Sequence, residues 1–204
     1  MKCVLMDSLV TESPLILGSA SPRRKRILEG LGLEFTIDVP DVDETAFDGE
    51  KPVEHVRRLA WLKAATVAGR YDEGTVIAAD TIVVVDGELL GKPRDPAQAV
   101  EMLLRLRGRW HEVYTGVAAM RCSDGASAGG VEGTDVFIRF LNEDEIAAYV
   151  AGGEPLDKAG SYAIQDCGAA LVEQVRGCFY NVVGLPVVRL CDVLKQLDCL
   201  NHKP

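Results

Sequence analysis

Leu15-Ile-Leu-Gly-Ser-Ala-Ser-Pro-Arg-Arg-Lys-Arg-Ile-Leu28 passes from a short apolar run through a small polar loop into a basic helix. Leu15–Gly18 reads as a strand, and Pro22–Leu31, stopped by Gly32, as a helix. Ser21 suits the N-cap and Pro22 the first helical position. Arg23 and Arg24 then fall in the first turn, where the helix dipole is positive and an uncompensated cation costs about 0.3–1 kcal/mol. A bound anion would offset that cost, because free N–H groups at a helix N-terminus form an anion site. The competing reading of four consecutive cations is a solvated basic turn. The 204-residue chain carries a formal net charge of −9, so this basic cluster is local chemistry and not an overall tendency.

Outward from this unit, strand and helix signals alternate. Glu34–Val39 reads as a strand, followed by the acidic Asp41-Val-Asp-Glu44, and Pro52–Ala68 as a helix stopped by Gly69. Thr75–Ala79 and Ile82–Asp86 read as strand segments interrupted by Asp80-Thr81, with Asp86-Gly87 as a hairpin turn into Glu88–Leu90. Asp95-Pro96 opens a helix to about Leu106. His111–Met120 is a long strand that Asp135–Phe140 is expected to pair with, across a mobile small-residue loop at 123–130. Asn142 and Glu145 form a capping box for the next helix. Gly168–Val175 reads as a strand and Pro186–Leu197 as the last helix. Hairpins mixed with helical crossovers predict an α/β fold with a mixed central β-sheet flanked by helices, one continuous unit with two lobes.

Hydrophobic content of 48% and charged content of 26% are those of a soluble globular protein. No apolar run reaches the length of a membrane span, and the start lacks the pattern of a signal peptide. Cys3, Cys122, Cys167, Cys178, Cys191 and Cys199 are scattered with no C-x-x-C, which argues against zinc and for reduced thiols. The acidic balance argues against nonspecific nucleic-acid binding.

Two charged residues sit where apolar ones are expected. Val53, Val56, Ala60, Lys63 and Val67 share one helical stripe, so Lys63 either snorkels to solvent or meets a negative charge. Asp80 interrupts an apolar strand pair, which is costly unless it is paired, hydrogen-bonded or metal-bound. Lys92 follows one hairpin later, and Glu154–Gln165 forms a long polar loop carrying both charges. Arg23, Arg24, Lys63 and Lys92 could hold phosphate oxygens, arginine through forked donors and lysine as a point charge. Glu44 and Asp80 could hold a hard divalent cation. There is no P-loop, dinucleotide fingerprint or nucleophile elbow. These features favour a metal-assisted hydrolase of a polyphosphate.

Ser19-Ala-Ser-Pro-Arg-Arg24, Ala79-Asp-Thr81, Gly91-Lys-Pro93, Glu154-Pro-Leu-Asp-Lys-Ala-Gly160 and Asn181-Val-Val-Gly-Leu-Pro186 resemble, in order and spacing, the Maf nucleotide pyrophosphatases. The resemblance runs from Leu15 to about Leu197 and implies a single catalytic domain at 15–200, preceded by an N-terminal extension at 1–14 that has no evident counterpart in the family. It implies a fold like inosine triphosphate pyrophosphatases, with a cleft between two lobes. It implies a cytoplasmic enzyme, commonly a homodimer, that hydrolyses a nucleoside triphosphate to the monophosphate and pyrophosphate with Mg²⁺ or Mn²⁺. By position, Asp80 matches the catalytic base and Glu44 one of the remaining pocket positions. Ser19, Ser21, Arg23, Arg24, Lys63, Thr81, Lys92 and Gln165 match the substrate-binding positions. Arg24, Thr81 and Gln165 are the set of members acting on dTTP and UTP. The resemblance also leaves a 7-methyl-GTP pyrophosphatase or a non-enzymatic regulator of septum formation as alternatives. Asp166 departs from the pattern, standing where a glycine often follows the glutamine.

Overall fold

The computed structural model describes residues 13–199. The expected extension at 1–14 lies outside them except for Ser13 and Pro14, as does Cys3. The Pro14 carbonyl accepts from Thr75 N at 2.8 Å, and Ser13 Oγ is 3.2 Å from Thr75 Oγ1.

The strands are β1 (Leu15–Leu17), β2 (Phe35–Ile37), β3 (Thr75–Val85), β4 (Glu88–Leu90), β5 (Arg109–Arg121), β6 (Ser127–Ile138) and β7 (Val172–Arg176). The helices are α1 (Pro22–Gly30), α2 (Pro52–Ala68), α3 (Pro96–Leu106), α4 (Glu143–Ala151), α5 (Phe179–Val183) and α6 (Val187–Gln196). Hydrogen bonding orders the sheet β2-β1-β3-β5-β6-β7, with β4 paired to β3. β1 runs parallel to β2 and β3, whereas β3–β4 and β6–β7 are antiparallel. The sheet is therefore mixed, as the alternation of hairpins and crossovers predicts. Among the described residues, no helix is long and apolar enough to cross a membrane.

The chain divides into two compact units. The first takes the described residues through Asp80, then Thr115–Glu132 and the described residues from Gly184. Its core joins Ile16, Val76 and Ala78 of the strands to Ala60, Ala64, Val67 and Ala68 of α2. Helix α2 lies so close to β5 that a Cβ on Gly116 would stand 2.2 Å from the Val56 carbonyl oxygen. Only glycine permits that approach. The second unit, Thr81–Tyr114 with Gly133–Val183, closes around Val83, Leu103, Leu106, Val136, Ile138, Leu141 and Ile146.

Local signals place several boundaries. Ser21 Oγ accepts from Arg24 N at 3.4 Å, the expected N-cap of α1. Asp86 and Gly87 both take positive φ, 55° and 78°, as a tight hairpin turn requires. Asn142 and Glu145 form the reciprocal capping box of α4.

Three expectations are corrected. Asp80-Thr81 does not interrupt a strand: β3 runs unbroken for 11 residues, because the Asp80 charge is met by a partner and its backbone stays in the extended ladder. The second half of the loop at 123–130, from Ser127 on, is strand. Only a short turn, closed by Arg121 N donating to Ala126 O at 2.8 Å, precedes β6. Gly125 serves the turn with a φ of 71°, whereas Gly129 and Gly130 serve close packing, since a Cβ on Gly129 would meet the Trp61 indole at 2.9 Å and one on Gly130 the Arg189 side chain at 2.7 Å. Finally, Asp166–Ala170 forms a 3-10 turn, so β7 begins at Val172 and not at Gly168.

Candidate active site

The first unit assembles its charged residues around the β1–α1 turn. Gly18 N donates to Ile77 O at 2.8 Å, which ties the turn to β3. Ser19 is buried, and its Oγ accepts from Ser21 N at 3.2 Å and from Arg24 Nη1 at 3.0 Å. Arg24 Nε donates to Gly184 O at 2.8 Å, so the guanidinium is fixed at two points. Burial pulls its pKa down, opposed by the Asp80 and Glu44 carboxylates and reinforced by the Arg23 charge. Arg23 is half-buried in the same first turn.

Lys63 resolves the choice left open by its stripe. It is buried, and Nζ lies 2.7 Å from Asp80 Oδ1 and 2.6 Å from Glu44 Oε1. It meets negative charge instead of snorkelling. Asp80 is buried on β3, whereas the Glu44 side chain is 54% exposed on the segment between β2 and α2. Two carboxylate oxygens converging on one cationic atom are the hard donor set that a divalent ion takes together with phosphate oxygens and water. Among the described residues, no group of three or more His, Cys, Asp or Glu side chains could hold a metal by itself. Glu44 and Asp80 would therefore need further oxygen ligands to complete the shell of a divalent ion.

The segment carrying Glu44 is held by residues that sequence reasoning passed over. Glu50 receives Arg58 Nε at 2.6 Å and Nη2 at 2.7 Å, a forked pair, and Phe47 N at 3.1 Å; His55 Nδ1 lies 2.9 Å from the same carboxylate. Arg58 Nη2 also donates to the carbonyl of Thr45, the neighbour of Glu44, at 3.1 Å, and the guanidinium stacks 4.0 Å over the Phe47 ring. The Arg58 hydrogen bonds hold the Glu50 carboxyl well below the usual carboxylate range. The available signal was the i, i+3 placement of His55 and Arg58 on α2, just after an acidic residue.

In the second unit, Thr81 is half-buried and Lys92 is exposed in the turn after β4. The Gly91 carbonyl beside Lys92 accepts from Gly160 N at 3.1 Å. Gln165 is half-buried, with extended backbone at φ −109° and ψ 175°. Asp166, at the position where a glycine was expected, takes a φ of 54°, the left-handed conformation that glycine adopts freely and aspartate tolerates.

On this mixed-sheet α/β fold, one compact unit carries the two arginines of the first turn of α1 together with the carboxylate-held Lys63. The family model for Maf-like protein matches residues 14–197, and the chain belongs to the Maf family. It is 49% identical over 182 residues to the dTTP/UTP pyrophosphatase of Pelotomaculum thermopropionicum, covering 89% of this chain and 95% of that protein. It is 50% identical over 182 residues to the dTTP/UTP pyrophosphatase of Symbiobacterium thermophilum, covering 89% and 93%. To the dTTP/UTP pyrophosphatase of Clostridioides difficile it is 44% identical over 187 residues, covering 92% and 96%.

Proposed function

We propose that this protein hydrolyses dTTP and UTP, and modified pyrimidine nucleotides of the same shape, to the monophosphate and pyrophosphate, clearing the nucleotide pool. The observation that carries the reading is buried Lys63 held between Asp80 and Glu44, beside the arginines of α1. A binding module such as a septum regulator has no need to keep buried charges, so the enzyme reading is favoured. The relatives' names favour the pyrimidine subclass over 7-methyl-GTP.

In this reading Arg23, Arg24, Lys63 and Lys92 neutralise and orient the triphosphate, with Ser19 and Ser21 hydrogen-bonding its oxygens. Asp80 accepts a proton from water as the water oxygen attacks the α-phosphorus. The bond from the α-phosphorus to the α,β-bridging oxygen breaks, and pyrophosphate leaves. Glu44 and Asp80 would hold a divalent ion, which supplies charge neutralisation at the phosphates when bound. Most of the rate enhancement in such chemistry comes from positioning and electrostatics. Thr81 and Gln165 serve base selection. The glutamine amide donates to a carbonyl of uracil or thymine and accepts from N3–H. The catalytic domain is 15–200, and the working form is a cytoplasmic homodimer with no nucleic-acid or membrane partner, in keeping with the charge of −9.

The test is pyrophosphate release across a panel of nucleoside triphosphates with Mg²⁺, Mn²⁺ or EDTA. Metal-dependent turnover of dTTP and UTP with little on 7-methyl-GTP is expected. Preferential turnover of 7-methyl-GTP would overturn the subclass, and no release from any triphosphate would overturn the activity.

A further inference from the structure

A glutamine amide does not by itself select one pyrimidine. Turned by 180°, its oxygen and nitrogen exchange places, and the donor–acceptor pattern that suits uracil becomes one that suits cytosine. If Gln165 reads the base, something must hold it. The segment Ala163–Gly168 is anchored at both ends by one pair of side chains. Glu154 accepts from Cys167 N at 3.1 Å through Oε2 and from Gly168 N at 3.1 Å through Oε1. The same Oε1 accepts from Tyr149 Oη at 2.9 Å, and Tyr149 Oη in turn accepts from Ala163 N at 3.3 Å.

The two ends are pressed together. A Cβ on Gly168 would stand 2.2 Å from the Ala163 carbonyl oxygen and 2.7 Å from Tyr149 Oη. Between the anchors lie only Ile164, Gln165 and Asp166, with Ile164 buried and Asp166 in the left-handed region. The anchors are themselves fixed. Tyr149 stands on α4, whose start carries the capping box, and buried Lys158 donates from Nζ to the Glu154 carbonyl at 2.7 Å. Burial, then the bond to Glu154, pushes the Tyr149 phenol well above its ordinary range, so it remains a donor across the working pH.

We propose that Tyr149 and Glu154 are positioning residues for base selection, clamping the Ala163–Gly168 segment at both ends so that the Gln165 backbone is fixed in the place from which its side chain reads the base. The proposal rests on the pyrimidine-pyrophosphatase reading above. Neither side chain is assigned a contact with substrate.

The experiment measures kcat and KM for UTP, CTP and 7-methyl-GTP in wild type, Gln165→Ala, Tyr149→Phe and Glu154→Gln. Tyr149→Phe removes one hydroxyl and keeps the ring, so it stays informative if Glu154→Gln fails to fold. The expected result is a drop of about tenfold in the preference for UTP over CTP in the clamp variants, mostly through KM, the size of losing one net hydrogen bond. Gln165→Ala should remove the same preference. Equal losses on all three substrates would mark the clamp as structural only and overturn the proposal. So would a preference that Gln165→Ala abolishes but both clamp variants retain. A preference unaffected by Gln165→Ala, in an enzyme that still releases pyrophosphate, would refute base reading by Gln165 and the clamp with it. No turnover by wild type would instead refute the parent reading.

Discussion

Asp80→Asn separates the two tasks of the Asp80 carboxylate, because asparagine keeps the shape and removes the charge. As the base, Asp80 is worth about 10²–10⁴ in rate, or about 3–5 kcal/mol of barrier. As the partner of Lys63 Nζ at 2.7 Å, with both groups buried, it contributes a charge-assisted hydrogen bond. Its loss costs about 1.5–3 kcal/mol. Glu44 remains on the ammonium at 2.6 Å, but its half-exposed carboxylate is a weaker substitute, worth about 0–1 kcal/mol. Lys63→Met should cost a similar amount by stranding Asp80. The double variant should recover much of the stability, since removing both charges of a buried pair is often neutral, while remaining inactive. The assays are denaturant unfolding of the four proteins as a double-mutant cycle and pyrophosphate release from UTP. Activity of Asp80→Asn within about tenfold of wild type would refute the base assignment. Strictly additive stabilities would refute the pairing.

Other outcomes follow from the same physical terms. His111 is buried on β5 with Nε2 2.7 Å from Tyr162 Oη, and burial lowers its pKa to about 4 from 6.5. A buried neutral histidine gives stability that is complete above 6.5 and lost as pH falls toward 4. Wild type should therefore lose about 2 kcal/mol between pH 7.5 and 5 that His111→Gln does not lose, read by denaturant titration. Glu50, with its pKa depressed by Arg58, contributes stability present above its ordinary value of 4.5 and lost as pH falls below it. Glu50→Gln should cost about 1.5–3 kcal/mol at pH 7 and flatten the acid limb. By loosening the segment that carries Glu44, it should also raise the Mg²⁺ needed for half-maximal rate, and an unchanged Mg²⁺ titration would count against that coupling. Asp166→Gly should stabilise by about 0.5–1 kcal/mol in thermal unfolding by relieving the φ of 54°, and a loss of stability would mean the aspartate side chain holds the turn.

Sequence alone determined whatever depends on neighbours within a few residues. The Ser21 cap, the Asp86-Gly87 turn, the Asn142–Glu145 box and the apolar stripe of α2 are local hydrogen bonds, local backbone preferences or one helical period, and each stands where its residues predict. The motifs also placed Lys63 and Asp80 among the residues that matter, because a charge in an apolar pattern is visible without coordinates. Tertiary structure decided what those charges meet. Lys63 and Asp80 are 17 residues apart, and only the packing of α2 on β3 turns a choice between snorkelling and pairing into a 2.7 Å contact. The same holds for β3, whose continuity through Asp80 depends on that partner, and for β6, whose glycines read as a loop until Trp61, Arg189 and Tyr114 are seen to lie against Gly129, Gly130 and Gly133. The bonds of Glu50 to Arg58 and of Glu154 to Gly168 were missed for one reason. A carboxylate inside the fold declares itself through the donors that surround it, and those donors are brought there by the fold.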